Sequence, residues 1–368
     1  MKIMYICGMY VPSHGGAEIS MYSLLKQLKK KFGWEIISIT DSKYEKTKNN
    51  ALFNEIEIKA VQHDKIIKEI GKNILNFKPD VIITQLMWSD IALKLAKKYK
   101  IPSIMRVCKV PLELDLNEDS EYSPTEIIGT SKLIRDHVKK KWNREAIIIN
   151  PLVETKEYVI LDKEFNPTNN QLIFMFNPLA RKGGEIFKRI AQRLPNKQFG
   201  TVFGWSSLKE NPSNKNFSKR YIKRVTESEG SLFDGALPDY VSFKDILNAR
   251  ILNPEDDVKV VYKKIRLLLI PSQWEEAFGR VAIEAMVNGI PVISSNIAGL
   301  KDSVGKGGVL VHKDNIDEWI REILKFDNPV YYKKMSERAK EWVKENYSEE
   351  KIVNQNYNLI VDIVKKSK

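Results

Sequence analysis

Two glutamates and a glycine within residues 271–302 have the types and spacing of a ligand site. Glu276 and Glu284 lie eight positions apart, one in a polar loop and one inside the helix predicted to follow it. Gly279 opens that helix, and a glycine lets a ligand approach the backbone closely. Helix N-termini favour phosphate, and carboxylates accept hydrogen bonds from hydroxyls. The stretch therefore suits a sugar nucleotide. The alternative is an ordinary core helix flanked by two solvated glutamates, because that arrangement has the same spacing.

The elements that position these residues can be predicted from the apolar pattern around them. Residues 267–270 form an apolar run that predicts a buried strand, and residues 291–294 form a second one. Between them, apolar residues at helical spacing end at Gly289, which suits a helix C-cap. A strand, a loop and a helix in this order place the helix N-terminus at the carboxyl end of a parallel sheet. Open α/β sheets bind their ligands at that edge.

The run from Glu276 through AFGRVAI to Glu284 and then AMVNGIPVISS closely resembles the donor-site signature of family 4 glycosyltransferases, which have the GT-B fold. The resemblance implies that Glu276 contacts the transferred sugar and that Glu284 holds the ribose hydroxyls. It also implies that Phe278, Gly279 and Arg280 belong to the donor site. The family transfers sugars with retention of anomeric configuration and without a metal ion.

A second expected site segment is NPLARKGGEIF, which follows another predicted strand. A lysine between a strand and an amphipathic helix is well placed to neutralise a diphosphate. The resemblance assigns Lys182 to that role and places Gly183 in the donor site. The family has an arginine five positions before this lysine, where the present chain has Asn177. Arg181 or Arg280 is then expected to supply the second charge, unless both are surface side chains.

A glycine-rich loop follows the first predicted strand. Gly15 and Gly16 precede a helix predicted at about residues 17–31, although many lone glycine loops are simple tight turns. The segment VPSHGGAE resembles the first loop of the same family, which implies that both glycines face the cleft between the two domains. Glu18 is a weaker candidate. His14 is a candidate for ligand contact, but an exposed loop position explains it more simply.

The acceptor side departs from the family pattern. Relatives commonly keep a histidine after the strand that corresponds to residues 101–107, whereas this chain reads MRVCKVP with Arg106, Cys108 and Lys109. Arg106 is suited to an acidic group, and Cys108 is most simply a small apolar side chain. The irregular segment 206–245 either shapes an acceptor site or is a long loop without a role in binding.

The chain has 368 residues, enough for two domains with their own cores. Strands alternating with helices predict doubly wound parallel sheets. The resemblance implies the GT-B architecture of two Rossmann-like domains facing a cleft. We expect an acceptor-side domain at 1–155, a nucleotide-sugar donor domain at 165–346, and a C-terminal helix at 347–368 that packs back on the first domain.

Composition excludes several classes of protein. The apolar runs are of strand length, which predicts no membrane span, and the N-terminus does not have the pattern of a signal peptide. Two cysteines and four histidines predict neither a disulfide framework nor a metal site, so we expect a cytoplasmic protein. The net charge of +13 is spread over both halves, which favours solubility and also suits an anionic membrane surface near the lysines of the first helix.

These observations predict a hexosyltransferase that moves a sugar from a UDP- or GDP-sugar to a hydroxyl of a glycan or lipid-linked acceptor, without a cofactor. Alternatives are a nucleotide-sugar-binding protein that has lost catalysis and another GT-B enzyme, such as a sugar-nucleotide epimerase or a phosphorylase. A nucleic-acid partner is not expected, because the basic run around Phe217 and Tyr221 resembles a stacking surface only loosely.

Overall fold

The computed structural model describes residues 1–8, 15–41, 51–53, 56–110, 112, 116, 122–202, 240–253, 255 and 257–367. They form two compact units, one of Met1–Val153 with Glu349–Lys368 and one of Glu154–Ser348. The predictions for His14 and for residues 206–239, including Phe217 and Tyr221, lie outside the described residues.

The first unit is built on one large sheet. Its strands are β1 Lys2–Cys7, β2 Glu35–Asp41, β3 Ala51–Phe53, β4 Ile56–Val61, β5 Val81–Gln85, β6 Ser103–Val107, β7 Glu126–Gly129 and β8 Ile147–Ile148. They are hydrogen-bonded in the order β3-β4-β2-β1-β5-β6-β7-β8. All of these pairings are parallel except that of β3 with β4, which is antiparallel at the sheet edge.

Helices cover both faces of this sheet, which explains why its central strand is apolar on both sides. The helices of this part of the chain are α1 Gly16–Phe32, α2 Ile66–Phe77, α3 Ser89–Lys98 and α4 Lys132–Trp142. Along β1, Ile3 and Tyr5 pack in the same cluster as the apolar face of α1. Met4 and Ile6 point the other way and pack with residues of α2 and α3.

The second unit is built on a fully parallel sheet. Its strands are β9 Leu172–Phe176, β10 Gln198–Val202, β11 Ala249–Ile251, β12 Ile265–Ile270, β13 Val292–Ser295 and β14 Val309–Val311. Their order is β11-β10-β9-β12-β13-β14. The helices are α5 Thr155–Tyr158, α6 Gly184–Arg193, α7 Lys259–Tyr262, α8 Arg280–Met286, α9 Ala298–Val304, α10 Ile316–Lys325 and α11 Pro329–Asn346.

The last helix, α12 Glu349–Ser367, packs on the first unit. Its Tyr357 stacks on Phe32 and Trp34, with ring centroids 4.0 and 5.3 Å apart. Its apolar face, which includes Ile360, joins the cluster that lines one side of the first sheet. The predicted fold class, two Rossmann-like parallel-sheet units with a terminal helix that returns to the first, is confirmed.

The lysine-rich end of α1 is partly used inside the first unit. Lys31 donates a hydrogen bond of 2.9 Å to Asn354 and lies 3.7 Å from the Glu350 carboxylate, so part of this positive charge holds α1 against α12. None of the helices in the described ranges combines the length and apolar character needed to cross a membrane.

Candidate active site

The carboxyl end of β12 carries the first part of the site. The strand ends before Pro271, and the site loop, residues 271–279, leads into α8. Gly279 has a φ of +82°, a backbone conformation that favours glycine, and a Cβ there would also displace the end of the Leu300 side chain, whose Cδ2 would lie 2.4 Å away. The helix that follows has seven residues. The prediction that its N-terminus binds phosphate remains a prediction.

Glu276 is held by three donors at the centre of the site loop. Lys182 Nζ lies 2.8 Å from its Oε1, while Ser272 Oγ and Trp274 Nε1 donate to its Oε2 at 3.0 and 2.6 Å. Burial raises the pKa of Glu276, but the charge of Lys182 and these hydrogen bonds outweigh burial and hold the pKa below its ordinary value. The carboxylate is therefore ionised at neutral pH.

Lys182 reaches this carboxylate because two strands that are distant in sequence are neighbours in the sheet. It ends a short 3₁₀ turn, Ala180–Lys182, which follows β9, and β9 pairs with β12. Gly183 then turns with a φ of +87°, and a Cβ there would lie 1.8 Å from the carbonyl oxygen of Pro271. The two loops are thus in direct backbone contact, which fixes the position of the Lys182–Glu276 pair.

A second cation lies beside the same loop. The guanidinium of Arg181 is 4.9 Å from the centre of the Trp274 ring, and Lys182 Nζ is 5.7 Å from that ring. Asn177, at the position where the family has its arginine, adopts a left-handed φ of +56°, and its buried Oδ1 has no hydrogen-bond partner among the described residues. Backbone strain of this kind is more frequent at functional sites than elsewhere.

Glu284 lies in a separate buried network. Its Oε1 is 3.2 Å from Arg280 Nε, and its Oε2 accepts a hydrogen bond of 2.9 Å from the Tyr262 hydroxyl. Arg280 also donates to the Tyr158 hydroxyl at 2.9 Å. Burial raises the pKa of Tyr158 to about 12, and the negative charge of Glu284 acts in the same direction. Both oxygens of Glu284 are thus oriented by fixed donors.

The structure places the other predicted residues as follows. Arg280 is paired with Glu284 and is 9% exposed in its side chain, so its proposed role at a diphosphate stays a prediction. The ring of Phe278 is buried and packs edge-to-face on Tyr347, so its predicted place in the donor site stays a prediction.

Gly15 and Gly16 belong to the first unit, where Gly15 is the N-cap of α1. A Cβ on Gly15 would lie 2.0 Å from Glu18 Oε2, so this glycine makes room for a buried carboxylate. In the part of the chain that the structure describes, no group of three or more His, Cys, Asp or Glu side chains is arranged to hold a metal ion.

Four side chains of the site could not be named from the sequence. Ser272 and Trp274 stand four and two positions before Glu276. Their closeness in sequence to a candidate carboxylate is the signal that could have identified them as its hydrogen-bond donors. Tyr158 and Tyr262 come from α5 and α7 and carry no local signal, because their contact with Arg280 and Glu284 depends on how these helices pack.

Solved structures share this architecture. A glycosyltransferase from Rickettsia africae matches with a TM-score of 0.74 and 17% identity, covering 99% of both chains. HepE from Anabaena, solved in complex with UDP, also matches with a TM-score of 0.74, at 14% identity, covering 98% of this chain and 100% of HepE. At this level of identity the likeness establishes the fold.

Residues 251–342 match the family described as "Glycosyl transferases group 1", and this range contains both the site loop with Glu276 and helix α8 with Glu284. The chain is a glycosyltransferase of the GT-B fold. An uncharacterised glycosyltransferase of Methanocaldococcus jannaschii is 24% identical to it over 375 aligned positions, covering 96% of each chain.

Other relatives of this glycosyltransferase match over shorter stretches. The N-acetyl-α-D-glucosaminyl L-malate synthase of Bacillus anthracis is 30% identical over 163 residues, which are 40% of this chain and 42% of that enzyme. An uncharacterised 41.2 kDa protein of Klebsiella pneumoniae is 32% identical over 90 residues, so the chain spans 25% of that relative.

Proposed function

We propose that this glycosyltransferase is a retaining, metal-independent enzyme of family 4. It would transfer a hexose from a UDP- or GDP-sugar to an acceptor hydroxyl in glycan, polysaccharide or glycolipid biosynthesis. The observation that carries the proposal is the Lys182–Glu276 pair, with 2.8 Å between Nζ and Oε1. A cation suits a diphosphate and an ionised carboxylate suits sugar hydroxyls, so the pair matches the two halves of a nucleotide sugar.

Lys182 has the role of stabilising the departing nucleoside diphosphate. Its side chain is 28% exposed, so the ammonium can exchange Glu276 for an incoming phosphate without the chain unfolding locally. Arg181, beside Trp274, is the nearby candidate for the second charge that the family supplies at the Asn177 position. Preorganised cations of this kind lower the barrier because they face the charge that develops as the bond to the sugar breaks.

Glu276 and Glu284 have the roles of holding the two hydroxyl-bearing parts of the donor. Glu276 is kept ionised by Lys182, Ser272 and Trp274, and each carboxylate oxygen can accept more than one hydrogen bond. Glu284 is oriented by Arg280 and Tyr262 and would accept hydrogen bonds from the ribose. Phe278, Gly279 and Gly183 complete the proposed donor site in the second unit, and Gly15 and Gly16 are proposed ligand-binding residues of the first unit.

The proposed donor is supported by the structural neighbours. HepE has been solved with UDP and with UDP-glucose. The proposal includes a glycan or lipid-linked acceptor, no cofactor besides the nucleotide-sugar co-substrate, and a cytoplasmic location with peripheral contact to an anionic membrane. Exposed lysines at the end of α1, such as Lys30, support the last point.

A second candidate function is nucleotide-sugar binding without catalysis. Asn177 favours it, because an uncharged amide stands where the family has a phosphate-binding arginine. Such a protein would bind a nucleoside diphosphate through Lys182 and would release no free UDP or GDP from a nucleotide sugar.

The test is thermal denaturation with UDP, GDP, ADP and CMP, on the wild type, on Lys182→Ala and on Arg189→Ala, an exposed cation of α6. A ligand that binds only the native state raises its stability with the logarithm of concentration over Kd. We expect UDP or GDP to stabilise the wild type and Arg189→Ala, with at least about a tenfold weaker Kd in Lys182→Ala. No stabilisation by any of the four contradicts the proposal. Binding without nucleotide release from UDP- or GDP-sugars favours the second candidate.

A further inference from the structure

Arg106 is a buried cation of the first unit that has no carboxylate partner in the described ranges. It lies at the carboxyl end of β6 and is 4% exposed. Among the described residues, its side chain makes one hydrogen bond, from Nη1 to Asn356 Oδ1 at 3.1 Å. That acceptor is a neutral amide. Removing a charge from water without a counter-charge costs far more free energy than one such hydrogen bond returns.

The electrostatic neighbours of Arg106 do not balance its charge. Burial lowers the pKa of Arg106, and the two groups that act in the opposite direction are Cys108 and Tyr5. Burial raises the pKa of Cys108 to about 12, and burial also raises the pKa of Tyr5 well above its ordinary value. Both groups are therefore protonated and neutral at pH 7. Glu18, the buried carboxylate of α1, raises the pKa of both Cys108 and Tyr5, and it forms no ion pair with Arg106 among the described residues.

Further hydrogen-bond donors lie on the same face of the sheet. Gln85, at the end of β5, is paired in register with Arg106, and residues paired in this way point to the same side. Its buried Nε2 has no hydrogen-bond partner among the described residues. On the next strand, Arg106 is in register with Ile128, and Thr130 follows two positions later with a buried Oγ1 that likewise lacks a partner.

These groups have one chemical feature in common. A guanidinium, an amide nitrogen and a hydroxyl can all donate hydrogen bonds, and they stand at the carboxyl ends of β5, β6 and β7, the edge at which open parallel sheets bind ligands. If Arg106 served only to hold α12, one donor to Asn356 would suffice, and a neutral side chain would do so without the cost of burying a charge.

We propose that the first unit binds a compact oxyanion, a carboxylate or a phosphate group of a small ligand, at Arg106 with Gln85 and Thr130. This site is distinct from the diphosphate site proposed in the second unit. If the proposed sugar transfer holds, on which this last step rests, the oxyanion belongs to the acceptor, so the acceptor carries an acidic group.

The first experiment measures the thermal stability of the full chain in inorganic phosphate or in malonate, each against sodium chloride at the same ionic strength. The chloride series removes the general effect of anions on a protein of net charge +13. We expect a saturable stabilisation by phosphate, malonate or both, and the more effective anion identifies the source of the oxyanion. No saturable stabilisation beyond chloride overturns the proposal.

Three variants locate the effect. Arg106→Gln is expected to raise the half-saturating anion concentration at least tenfold, whereas Arg189→Ala, which removes an exposed cation of α6, leaves it unchanged. Asn356→Asp places a carboxylate against Arg106 and is expected to abolish the anion effect, and it decides the question if Arg106→Gln does not fold. An unchanged half-saturating concentration in Arg106→Gln, or in Asn356→Asp where Arg106→Gln does not fold, overturns the proposal. UDP or GDP should still stabilise Arg106→Gln and should not stabilise Lys182→Ala. This difference separates the oxyanion test from the test of the donor site.

Discussion

Lys182 and Glu276 are 94 positions apart in the sequence, and their charged groups lie 2.8 Å apart. The contact follows from the sheet order, because β9 and β12 are neighbouring strands and each is followed by a loop at the same edge of the sheet. The backbone contact of Gly183 with Pro271 then sets the spacing of the two loops. The Lys182–Glu276 pair is half-buried. It is therefore ordered in the absence of a ligand and remains accessible to one.

The charge of Glu276 predicts a pH dependence of stability. Its pKa in the folded chain is below the ordinary value of 4.5, so its contribution to stability is complete above that value and is lost as the pH falls through the folded pKa. Glu276→Gln should lower the free energy of unfolding by about 1.5–3 kcal/mol at neutral pH, because hydrogen bonds to a charged group are lost. Urea denaturation from about pH 7 down to about pH 3 should show this difference shrinking below pH 4.5.

The matched control for that series is Glu275→Gln, the exposed neighbour of Glu276. It should change the free energy of unfolding by less than about 0.5 kcal/mol at each pH. A deficit in Glu276→Gln that stays constant or grows toward low pH would contradict an ionised, donor-held Glu276.

The hydroxyl of Tyr262 predicts a second difference. Tyr262→Phe removes a buried donor from the Glu284 carboxylate, while Tyr332→Phe removes a buried donor from the carbonyl oxygen of Arg266. Both changes delete one oxygen atom. Because hydrogen bonds to charged groups are the stronger ones, Tyr262→Phe should cost about 1.5–3 kcal/mol and Tyr332→Phe about 0.5–1.5 kcal/mol, measured by urea denaturation.

Nucleotide binding extends the same comparison. If Glu284 holds the ribose, Tyr262→Phe should weaken the binding of UDP or GDP, since the carboxylate loses its orientation, and Tyr332→Phe should leave binding unchanged. Equal stability costs and equal affinities in the two variants would show that Tyr262 does not orient Glu284.

The sequence predicted those parts of the fold that have a strong local pattern. The apolar runs at 267–270 and 291–294 correspond to β12 and β13, and the helix between them ends close to Gly289, which has a φ of +69°. Such runs are informative because a parallel sheet covered on both faces needs apolar residues on both sides. The short edge elements β3 and β8, of three and two residues, are too brief to leave a pattern.

The sequence predicted more of the residues of the candidate site than of the contacts between them. Lys182 and Glu276 were each assigned from their own loop, but their direct pairing needs the sheet order. Arg280 was expected beside a diphosphate, and its pairing with Glu284 and Tyr158 depends on the packing of α5 and α8. Tertiary contacts of this kind have no local signature in sequence.

The turn at Gly183 predicts a steric effect that goes beyond its backbone conformation. Gly183→Ala combines a φ of +87° with a Cβ placed 1.8 Å from the backbone of Pro271, which cannot move without shifting the site loop. Gly33→Ala is the control, because φ is +67° there and nothing lies within 4 Å of the added Cβ. We expect about 1 kcal/mol of destabilisation in Gly33→Ala and well over about 2 kcal/mol in Gly183→Ala, measured by urea denaturation.

Nucleotide affinity separates the two glycines further. Gly183→Ala should also weaken the stabilisation by UDP or GDP, since Lys182 is displaced with its loop, and Gly33→Ala should not. Equal destabilisation in both variants would mean that the loop contact with Pro271 yields easily and does not fix the position of Lys182.

The stacking of Tyr357 on Phe32 and Trp34 predicts that α12 is an integral part of the first unit. Tyr357→Ala removes a half-buried ring whose centroid lies 4.0 Å from that of Phe32, and leaves an exposed gap on the cluster beneath it. We expect a loss of about 2–3 kcal/mol, somewhat below the cost of truncating a fully buried aromatic side chain. Asn358→Ala, one position along on the exposed side of the same helix, should cost less than about 0.5 kcal/mol. If both variants unfold at the wild-type urea concentration, α12 contributes no stability through this contact. A loss confined to Tyr357→Ala means that the helix stabilises the sheet on which Arg106 lies.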